Sequence, residues 1–574
     1  MHAAGTTTPV QALHDAVLAS AAPLAAAGDG GPGAAPDVNP AERSGLGRPD
    51  AITLERPPRP DFGDYSTNAA LLLAPALGLA AREVAERLGA ELKRRLGEDL
   101  ERFEVAGPGF LNLFLADSWL LQALGRVLSA GEGLGVVRAP SPERVLVEFV
   151  SANPTGPMHA GHARNAAYGD SLARVLAFHG HEVEREFYVN DAGSQIRKLG
   201  ESIRARARGE EVPEDGYRGE YVGTLAAELA GAAAMDPAEL GRAAVGVTIG
   251  HMQSSLQAFA VEEFDHWQYE SALHAGAPSP VEHALAVLEQ HGHTYRSEGA
   301  LWLRSTDYGD DKDRVLVRSS GEHTYFASDI AYHLDKRERG FERQIDVWGA
   351  DHHGYTARMK AAYAALGGDP GHLEMLIMQL VHLIRRGERA QMSKRAGEFV
   401  TLDELLSEIG ADAARWFLLS RSHDTTIDLD LDLAREQSSE NPVYYVQYAH
   451  ARIASVLAKA GAERVAAALE QVAEAKRDGG EGREGLHASE RALVKKLLAF
   501  PGEAAEAAQR RAPHRIAAYA LELAQDFTAF YRDCRVLGAE PAGVESLRLA
   551  LSVAAQRTLA RCLDLLGVSA PPEM

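Results

Sequence analysis

The chain has 574 residues, 46% of them hydrophobic, which is typical of roughly three or four domains with buried cores. Its formal net charge of −22 argues against nonspecific binding to nucleic acid but still allows a locally basic binding surface. The only two cysteines, Cys534 and Cys562, exclude a thiolate zinc cluster and a disulfide framework and fit a cytoplasmic location. No run of about 18 apolar residues predicts a membrane span, and the N-terminus lacks the basic start and apolar core that would predict a secretory signal.

The first predicted unit is a small α/β N-terminal domain over residues 1–118. Within it, residues 25–48 are rich in glycine, alanine and proline, a composition that predicts a flexible insertion. A helix is predicted around 68–97, and an apolar run at 109–115 predicts a strand that closes the unit.

A second predicted domain, residues 119–434, has the strand–loop–helix–strand order of a Rossmann-like parallel sheet. Its first helix ends near Gly180, and helical and hairpin-like segments interrupt the sheet over about 200–320. From about 404 onward the spacing of alanine, leucine and arginine is helical, and residues 435–574 are predicted to form an all-α C-terminal bundle. The predicted strands lie at 144–150, 183–189, 344–354 and 373–383.

The segment "NPTGPMHAGHARNAAYGD" (153–170) places two histidines at the predicted start of a helix. Residues three apart share a helical face, so His159 and His162 are expected to point toward the same ligand. A helix N-terminus at the carboxyl edge of a parallel sheet suits phosphate, and Gly161 leaves space for a flat base. A nucleotide-phosphate site therefore fits better than a metal site, although an ordinary helix start with surface histidines is the alternative.

A second polar segment, "RRGERAQMSKRAGEF" (385–399), carries Ser393, Lys394 and Arg395. A loop of this kind can close over a triphosphate and offset the charge that develops on a pyrophosphate leaving group. By itself it is more typical of a solvated charged loop. Its combination with the histidine motif favours the phosphate interpretation.

These two motifs are similar to the signatures of class I aminoacyl-tRNA synthetases, and the text around them resembles bacterial arginyl-tRNA synthetases from about residue 60 onward. The sequence departs from the family pattern at Gln391, where the second signature usually begins with lysine, and at the insertion 25–48. The strings with the most specific likeness are "VEFVSANPTGPMHAGHARNAAYGDSLARVL", "FYVNDAGSQI", "SDIAYHLDKRERGFERQIDVWGADHHGYTARMKAA" and "LDLDLAREQSSENPVYYVQYAHARI".

The resemblance implies an ATP site at the two signatures and at a G-x-D-H element that holds adenosine. His159 and His162 are expected to stabilise the transition state of adenylate formation, and Lys394 is expected to assist at the phosphates. One strand end cannot direct both His352 and His353 at one ion, so no protein-bound metal is expected. The implied ATP-binding residues are His159, Gly161, His162, Gly349, Asp351, His352, Met392, Ser393 and Lys394.

The resemblance also implies a pocket for arginine. Tyr325 and Asp329 in "TYFASD" are four residues apart, on one helical face, and a carboxylate matches the fork of a guanidinium. Glu148, Ser151 and Asn153 are expected to hold the ammonium and carboxylate groups of the amino acid. The alternative for Asp329 is an acid that stabilises a helix N-terminus.

The implied activity is the ATP-dependent attachment of L-arginine to tRNA(Arg) by a monomer, through an arginyl-adenylate, with Mg²⁺ bound through the ATP phosphates. The N-terminal domain resembles a family module that touches the tRNA elbow, and the bundle resembles an anticodon-binding domain. Tyr444, Tyr445 and Tyr448 near the start of the bundle can stack on unpaired bases. Core packing is the alternative for each of these tyrosines.

Two other functions are compatible with the same fold. A ligase that joins an amino acid to an amine or thiol would not need a large tRNA-binding bundle. A non-catalytic RNA-binding relative would be expected to lose the signature histidines or the lysine. A charging assay with each amino acid in turn distinguishes these possibilities.

Overall fold

The computed structural model of the protein describes residues 7–28, 51–133, 135–389, 400–474 and 485–574. The first elements are α1 (Pro9–Gly28), β1 (Leu54–Glu55), β2 (Tyr65–Thr67), α2 (Ala69–Leu77), α3 (Ala81–Leu96), β3 (Leu100–Ala106), β4 (Phe110–Leu115) and α4 (Asp117–Ser129). The strands form an antiparallel sheet in the order β1-β2-β4-β3, and α1, α2 and α3 share its apolar core. The predicted α/β character of this part is confirmed.

The single helix predicted around 68–97 is wrong, because the structure has two helices there, α2 and α3. Gly78 follows α2 with φ +61°, and its N–H caps the end of that helix. This left-handed conformation is easy for glycine and ends helices frequently. The strand predicted at 109–115 is confirmed as β4.

The next part of the chain contains a five-stranded parallel sheet. Its elements are β5 (Arg144–Glu148), α5 (Ala160–Phe178), β6 (Glu182–Val189), α6 (Ser194–Arg208), α7 (Glu220–Glu228), α8 (Pro237–Ala258), β7 (His266–Tyr269), α9 (Glu270–Leu273), α10 (Pro280–Gln290), β8 (Thr294–Ser297), β9 (Ala300–Leu303), β10 (Arg314–Val317), α11 (Tyr325–Glu338), β11 (Arg343–Gly349), α12 (Thr356–Ala365) and β12 (Leu373–Met378). The strand order in the sheet is β12-β11-β5-β6-β7, so the chain order reverses between β5 and β11. Ligands of such sheets bind beyond the carboxyl ends of the strands at the reversal.

The Rossmann-like parallel sheet predicted from the sequence is thus confirmed, but the interruption predicted over 200–320 includes β7, an edge strand of this same sheet. The strands β8, β9 and β10 form a separate antiparallel sheet within that interruption. The domain boundaries at 118/119 and 434/435 stay predictions.

The single strand predicted at 373–383 is also wrong. The chain leaves the parallel sheet after β12, where the Gln379 N–H donates to the His423 carbonyl oxygen. The following strand, β13 (Val381–Arg385), pairs with β14 (Glu388–Arg389) and with β15 (Ile427–Asp430). The strand β15 lies in the stretch beyond 404 that was predicted to be helical.

The C-terminal part is a helical bundle that shares one apolar core with the parallel sheet. The helix α5 lies between them: Ser171 Oγ donates to the Leu565 carbonyl at 2.8 Å, and Arg174 donates to the Asp564 carbonyl at 3.3 Å. The elements are α13 (Leu402–Ile409), α14 (Ala411–Leu418), α15 (Leu431–Arg435), α16 (Pro442–Ala460), α17 (Ala462–Glu474), α18 (Ala488–Gln509), α19 (His514–Asp533) and α20 (Ala542–Leu566). Across the described residues, no helix is long and apolar enough to cross a bilayer.

Candidate active site

The helix that carries the first histidine motif, α5, begins just beyond the carboxyl end of β5. His159 caps its N-terminus, and His159 Nδ1 accepts a hydrogen bond from the Gly161 N–H at 3.1 Å. His162 Nδ1 accepts one from the His159 N–H at 3.2 Å. The two rings stack with their centroids 3.8 Å apart, so they share one face, as their spacing predicts.

Gly161 leaves room for the His159 ring in this arrangement. A Cβ atom at Gly161 would lie 2.8 Å from Cε1 of His159. The space that the sequence analysis assigned to a flat base is therefore next to the His159 ring itself. The glycine allows this ring to fold back over the first turn of the helix.

Both signature histidines are neutral near pH 7. Burial lowers the pKa of His159, and burial together with the neighbouring His159 lowers the pKa of His162 to about 4. Each Nδ1 atom accepts a backbone N–H, so the proton of each neutral ring resides on Nε2. The pair therefore supplies two Nε2–H donors, which suit negative charge that develops on a phosphate.

The described chain that resumes after the second signature, at Val400, lies beside the start of the histidine helix. The Ala160 N–H donates to the Val400 carbonyl at 3.1 Å, and the Leu402 N–H donates to the Met158 carbonyl at 2.8 Å. Thr401 pairs with His159 in an antiparallel bridge. Met392, Ser393, Lys394 and the substituted Gln391 lie outside the described residues, so their roles stay predictions, but the chain that follows them is fixed beside His159.

The G-x-D-H element lies at the end of β11, the strand next to β5. Gly349 is the last residue of β11, and a short 3₁₀-helix over Ala350–Tyr355 contains Asp351 and His352. The His352 ring lies 5.5 Å from that of Trp348. In the part of the chain that the structure describes, no group of three or more His, Cys, Asp or Glu side chains is arranged to hold a metal ion.

The predicted guanidinium partners lie at the start of α11. Tyr325 is 69% exposed, and Asp329, one turn later, is half-buried. The Tyr355 hydroxyl donates to Asp329 Oδ2 at 2.5 Å. Burial raises the pKa of Asp329, and this hydrogen bond opposes the rise. A bound cation would favour the ionised form of this carboxylate.

Glu148 is the last residue of β5 and is buried. Its Oε1 accepts from Ser151 Oγ at 2.9 Å, and its Oε2 accepts from Lys336 Nζ at 2.6 Å. Val150 and Ser151 have φ values of +67° and +42°, a conformation that is strained for a β-branched residue such as valine. The turn that contains them brings Ser151 back to Glu148, whereas Asn153 is exposed.

Glu270, the first residue of α9, is a candidate site residue that was not predicted from the sequence, and it is only 4% exposed. Burial and the nearby charges of Asp329 and Asp191 raise the pKa of Glu270 to about 7, and a hydrogen bond from Tyr188 opposes the rise. An acid after a parallel strand was the available signal. It was missed because β7, which precedes Glu270, was not predicted as a strand.

Four carboxylates therefore lie at this edge of the sheet. Glu148 ends β5, Asp191 follows β6, Glu270 follows β7, and Asp329 lies near Glu270 and Tyr188. A site with this much negative charge suits a cationic ligand, and carboxylates match a guanidinium through paired hydrogen bonds.

The three predicted tRNA-binding tyrosines on α16 have different surroundings. The rings of Tyr444 and Tyr448 stack nearly parallel with centroids 6.1 Å apart, Tyr448 is 39% exposed, and the Arg452 guanidinium lies 4.7 Å from the Tyr448 ring. Tyr445 packs against the core, and its hydroxyl donates to Thr528 Oγ1 at 3.1 Å. Tyr448 is exposed and Tyr444 is half-buried, so stacking on bases stays a prediction for this pair, whereas Tyr445 packs as the core alternative predicts.

Three family profiles match successive parts of the chain. They are described as "Arginyl tRNA synthetase N terminal domain" (residues 41–115), "tRNA synthetases class I (R), catalytic domain" (residues 124–211 and 251–454) and "DALR anticodon binding domain" (residues 446–574).

Curated relatives and solved structures agree with these profiles. The arginine–tRNA ligase of Bacillus subtilis is 45% identical over 537 residues, covering 91% of this chain and 94% of that protein. The arginine–tRNA ligase of Geobacillus kaustophilus is 44% identical over 555 residues, covering 93% and 97%. The structure of Thermus thermophilus arginyl-tRNA synthetase superposes with a TM-score of 0.74 at 27% identity, covering 98% of this chain and all of that chain. The chain therefore belongs to the arginyl-tRNA synthetase family.

Proposed function

We propose that this protein attaches L-arginine to tRNA(Arg) in two steps, with ATP as co-substrate and arginyl-adenylate as the intermediate. The observation that carries the proposal is the segment after β5, where Glu148, held at both oxygens, is followed 11 residues later by His159 and then by His162 at the start of α5. A site for a cation and a site for a phosphate are thus both placed by the chain that leaves this strand.

In the first step, an arginine carboxylate oxygen attacks the α-phosphate of ATP. A new O–P bond forms, the bond to the β-phosphate breaks, and pyrophosphate leaves. The Nε2–H donors of His159 and His162 stabilise the charge on the phosphate, and Lys394 assists from the second signature. Gly349, Asp351 and His352 hold adenosine, and Mg²⁺ enters with ATP, bound by its phosphates. The side chains position the reactants and stabilise charge.

The acidic edge of the sheet selects arginine. Asp329 and Glu270 supply carboxylates for the guanidinium, with Tyr325 at the mouth of the pocket. Glu148, Ser151 and Asn153 hold the ammonium and carboxylate ends. Lysine carries a single ammonium in place of the guanidinium fork and would leave pocket acceptors unpaired, which is an effective way to reject a competing substrate.

In the second step, a terminal ribose hydroxyl of the tRNA attacks the activated carbonyl, and AMP leaves. The N-terminal domain contacts the tRNA elbow, and the bundle, with Tyr444 and Tyr448 at its surface, binds the anticodon loop. We infer that the protein acts as a monomer in the cytoplasm. The bundle and its matching anticodon-domain profile favour tRNA over a small amine or thiol as the acceptor.

The test is a charging assay with the purified protein, ATP, Mg²⁺, an unfractionated tRNA pool and each of the twenty amino acids. Arginine alone is expected to become acid-precipitable, and only on tRNA species with arginine anticodons. Charging of another amino acid, or transfer of arginine to an acceptor other than tRNA, would contradict the proposal.

A further inference from the structure

Lys336 on α11 is a fully buried lysine between two carboxylates. Its Nζ donates to Glu148 Oε2 at 2.6 Å and to Asp346 Oδ1 at 2.9 Å, and its side chain has no exposed surface. Removing an ammonium from water is costly, and the cost is offset only when nearby charges and hydrogen bonds match it. Two charged partners at hydrogen-bonding distance meet that condition.

The two partners of Lys336 differ in what else they contact. Asp346, on β11, is fully enclosed, and its second oxygen meets His333 Nε2 at 2.8 Å. Glu148 lies at the end of its strand, and its second partner is the neutral Ser151 hydroxyl. Lys336 therefore shares its positive charge between two acids. Both oxygens of Glu148 are held in place, yet this carboxylate is not fully neutralised and keeps negative charge on the side that faces the ligand.

We propose that Lys336 is a positioning residue for arginine, which holds Glu148 ionised and in one orientation so that its carboxylate binds the α-ammonium group. This inference rests on the proposed function. Without Lys336, Glu148 and Asp346 would be two buried acids close together, and such pairs retain a proton. A protonated Glu148 would offer the ammonium no charge and would be free to rotate.

The other groups around Glu148 do not replace this cation. Burial raises the pKa of Glu148, Asp346 adds to the rise, and Lys336 opposes it. Glu186 on β6 is matched by Arg339 at 2.6 Å and by the Tyr332 hydroxyl at 2.5 Å. Among the described titratable groups around Glu148, Lys336 is the one that is permanently positive. These groups are Tyr332, His333 and Lys336 on α11, Asp346 on β11, and Glu186 and Tyr188 on β6.

The experiment measures how strongly the protein prefers arginine over 5-guanidinopentanoate, which is arginine without its α-amino group. The ratio of the two dissociation constants isolates the ammonium end, because the guanidinium and carboxylate ends are common to both ligands. In the unmodified protein we expect a ratio on the order of 100 that stays constant between about pH 6 and pH 8. A ratio that falls as pH falls in the unmodified protein overturns the proposal, because Glu148 would then be protonating beside Lys336.

Lys336→Met removes the charge and keeps the length of the side chain. We expect the ratio to fall to about 10 or less at pH 6 and to recover in part at pH 8, as Glu148 loses its proton. A ratio within about threefold of the unmodified protein at every pH would overturn the proposal. A simple loss of stability would weaken both ligands together and leave the ratio unchanged.

If Lys336→Met does not fold, the same ratio is measured in Lys336→Gln, which retains an N–H donor but no charge. Lys198→Met is the matched control, because Lys198 is a partly exposed lysine that pairs with Asp215 on the surface. Its ratio should equal that of the unmodified protein. If the unmodified protein does not charge tRNA with arginine, the proposed function is refuted. If the unmodified protein charges arginine and the Lys336 variants keep its ratio, only this inference is refuted.

Discussion

The two proposed substrate regions at the carboxyl edge of the sheet have opposite electrostatics. The histidine region at the start of α5 has two neutral rings whose Nδ1 atoms are held by backbone N–H groups. The acidic region has buried or half-buried carboxylates, one of which is held by a buried lysine. The charge of ATP is partly offset by the Mg²⁺ that its phosphates bind, so its site needs hydrogen-bond donors in fixed orientations. The arginine side chain must lose water around a bare cation, so it needs full negative charges.

The largest loss of activity is expected in the acidic region, at Asp329. Asp329→Asn keeps the shape but leaves the guanidinium without a full partner, a loss of roughly 3–5 kcal/mol, or about 100-fold to several thousand-fold in kcat/KM for arginine. The measurement is steady-state tRNA charging, with circular dichroism to confirm folding. Asp335→Asn, on the same helix but paired with Arg339, is the control and should retain near-normal kcat/KM. If Asp329→Asn keeps more than about a tenth of the activity, the guanidinium is recognised elsewhere.

The histidine region should show a different kind of loss. His159→Ala and His162→Ala are each expected to slow adenylate formation by on the order of 100-fold, because each removes a donor aimed at charge that grows in the transition state. Arginine affinity should change little. Single-turnover kinetics and equilibrium binding separate the two quantities, with the exposed His251→Ala as the control. Single-turnover rates within a few-fold of the unmodified protein would show that these histidines only cap the helix and do not stabilise the transition state.

The two regions should also differ in pH dependence. Glu270 has a pKa of about 7, so its charge is present above that pH and is lost as pH falls through it. Arginine affinity is therefore expected to weaken between about pH 8 and pH 6, by up to about tenfold per unit. ATP affinity should lack this dependence, because burial lowers the pKa of His162 to about 4 and also lowers the pKa of His159. Glu270→Gln should bind arginine weakly at all pH values, and a persistent slope in this variant would assign the proton to another group.

The smallest expected effect is at Gly161. Gly161→Ala places a Cβ atom against the His159 ring and should displace that ring from the helix start. We expect adenylate formation to slow by about 5- to 10-fold, with a stability change within about 1 kcal/mol, because alanine favours the helix that it disturbs locally. Single-turnover rates and thermal unfolding test both parts. An unchanged rate would show that the position of the His159 ring is not critical.

The sequence predicts the parts of this fold whose signals are local. The strand at 144–150 and the helix that ends near Gly180 are confirmed within two residues, because an apolar run and a helix start lie side by side in the chain. The break at Gly78 and the exit from the sheet at Gln379 were missed. In both places apolar character continues, while the backbone changes direction.

The candidate site was predicted in the same uneven way. His159, His162 and Asp329 were proposed as site residues from motifs and stay predictions, but Glu270 was not proposed because it follows a four-residue strand, "HWQY", that lacks an apolar run. Lys336 stands in the charged stretch "DKRERG", which is typical of a solvated helix face. Its burial results from contacts with β5 and β11, which are distant in sequence, so spacing along the chain does not reveal it.

The last turn of α20 has a consequence for how the chain is made. The carbonyls of Asp564, Leu565 and Leu566 accept hydrogen bonds from Arg174, Ser171 and Arg415, side chains far upstream in the chain. A Cβ atom at Gly567 would lie 2.4 Å from the Arg415 guanidinium, so the end of this helix is shaped to fit Arg415. During translation, the helix that carries the signature histidines meets its final partners only after residue 567 has emerged from the ribosome. Nascent chains that end between residues 400 and 563 contain both signatures but lack these contacts between α5 and α20.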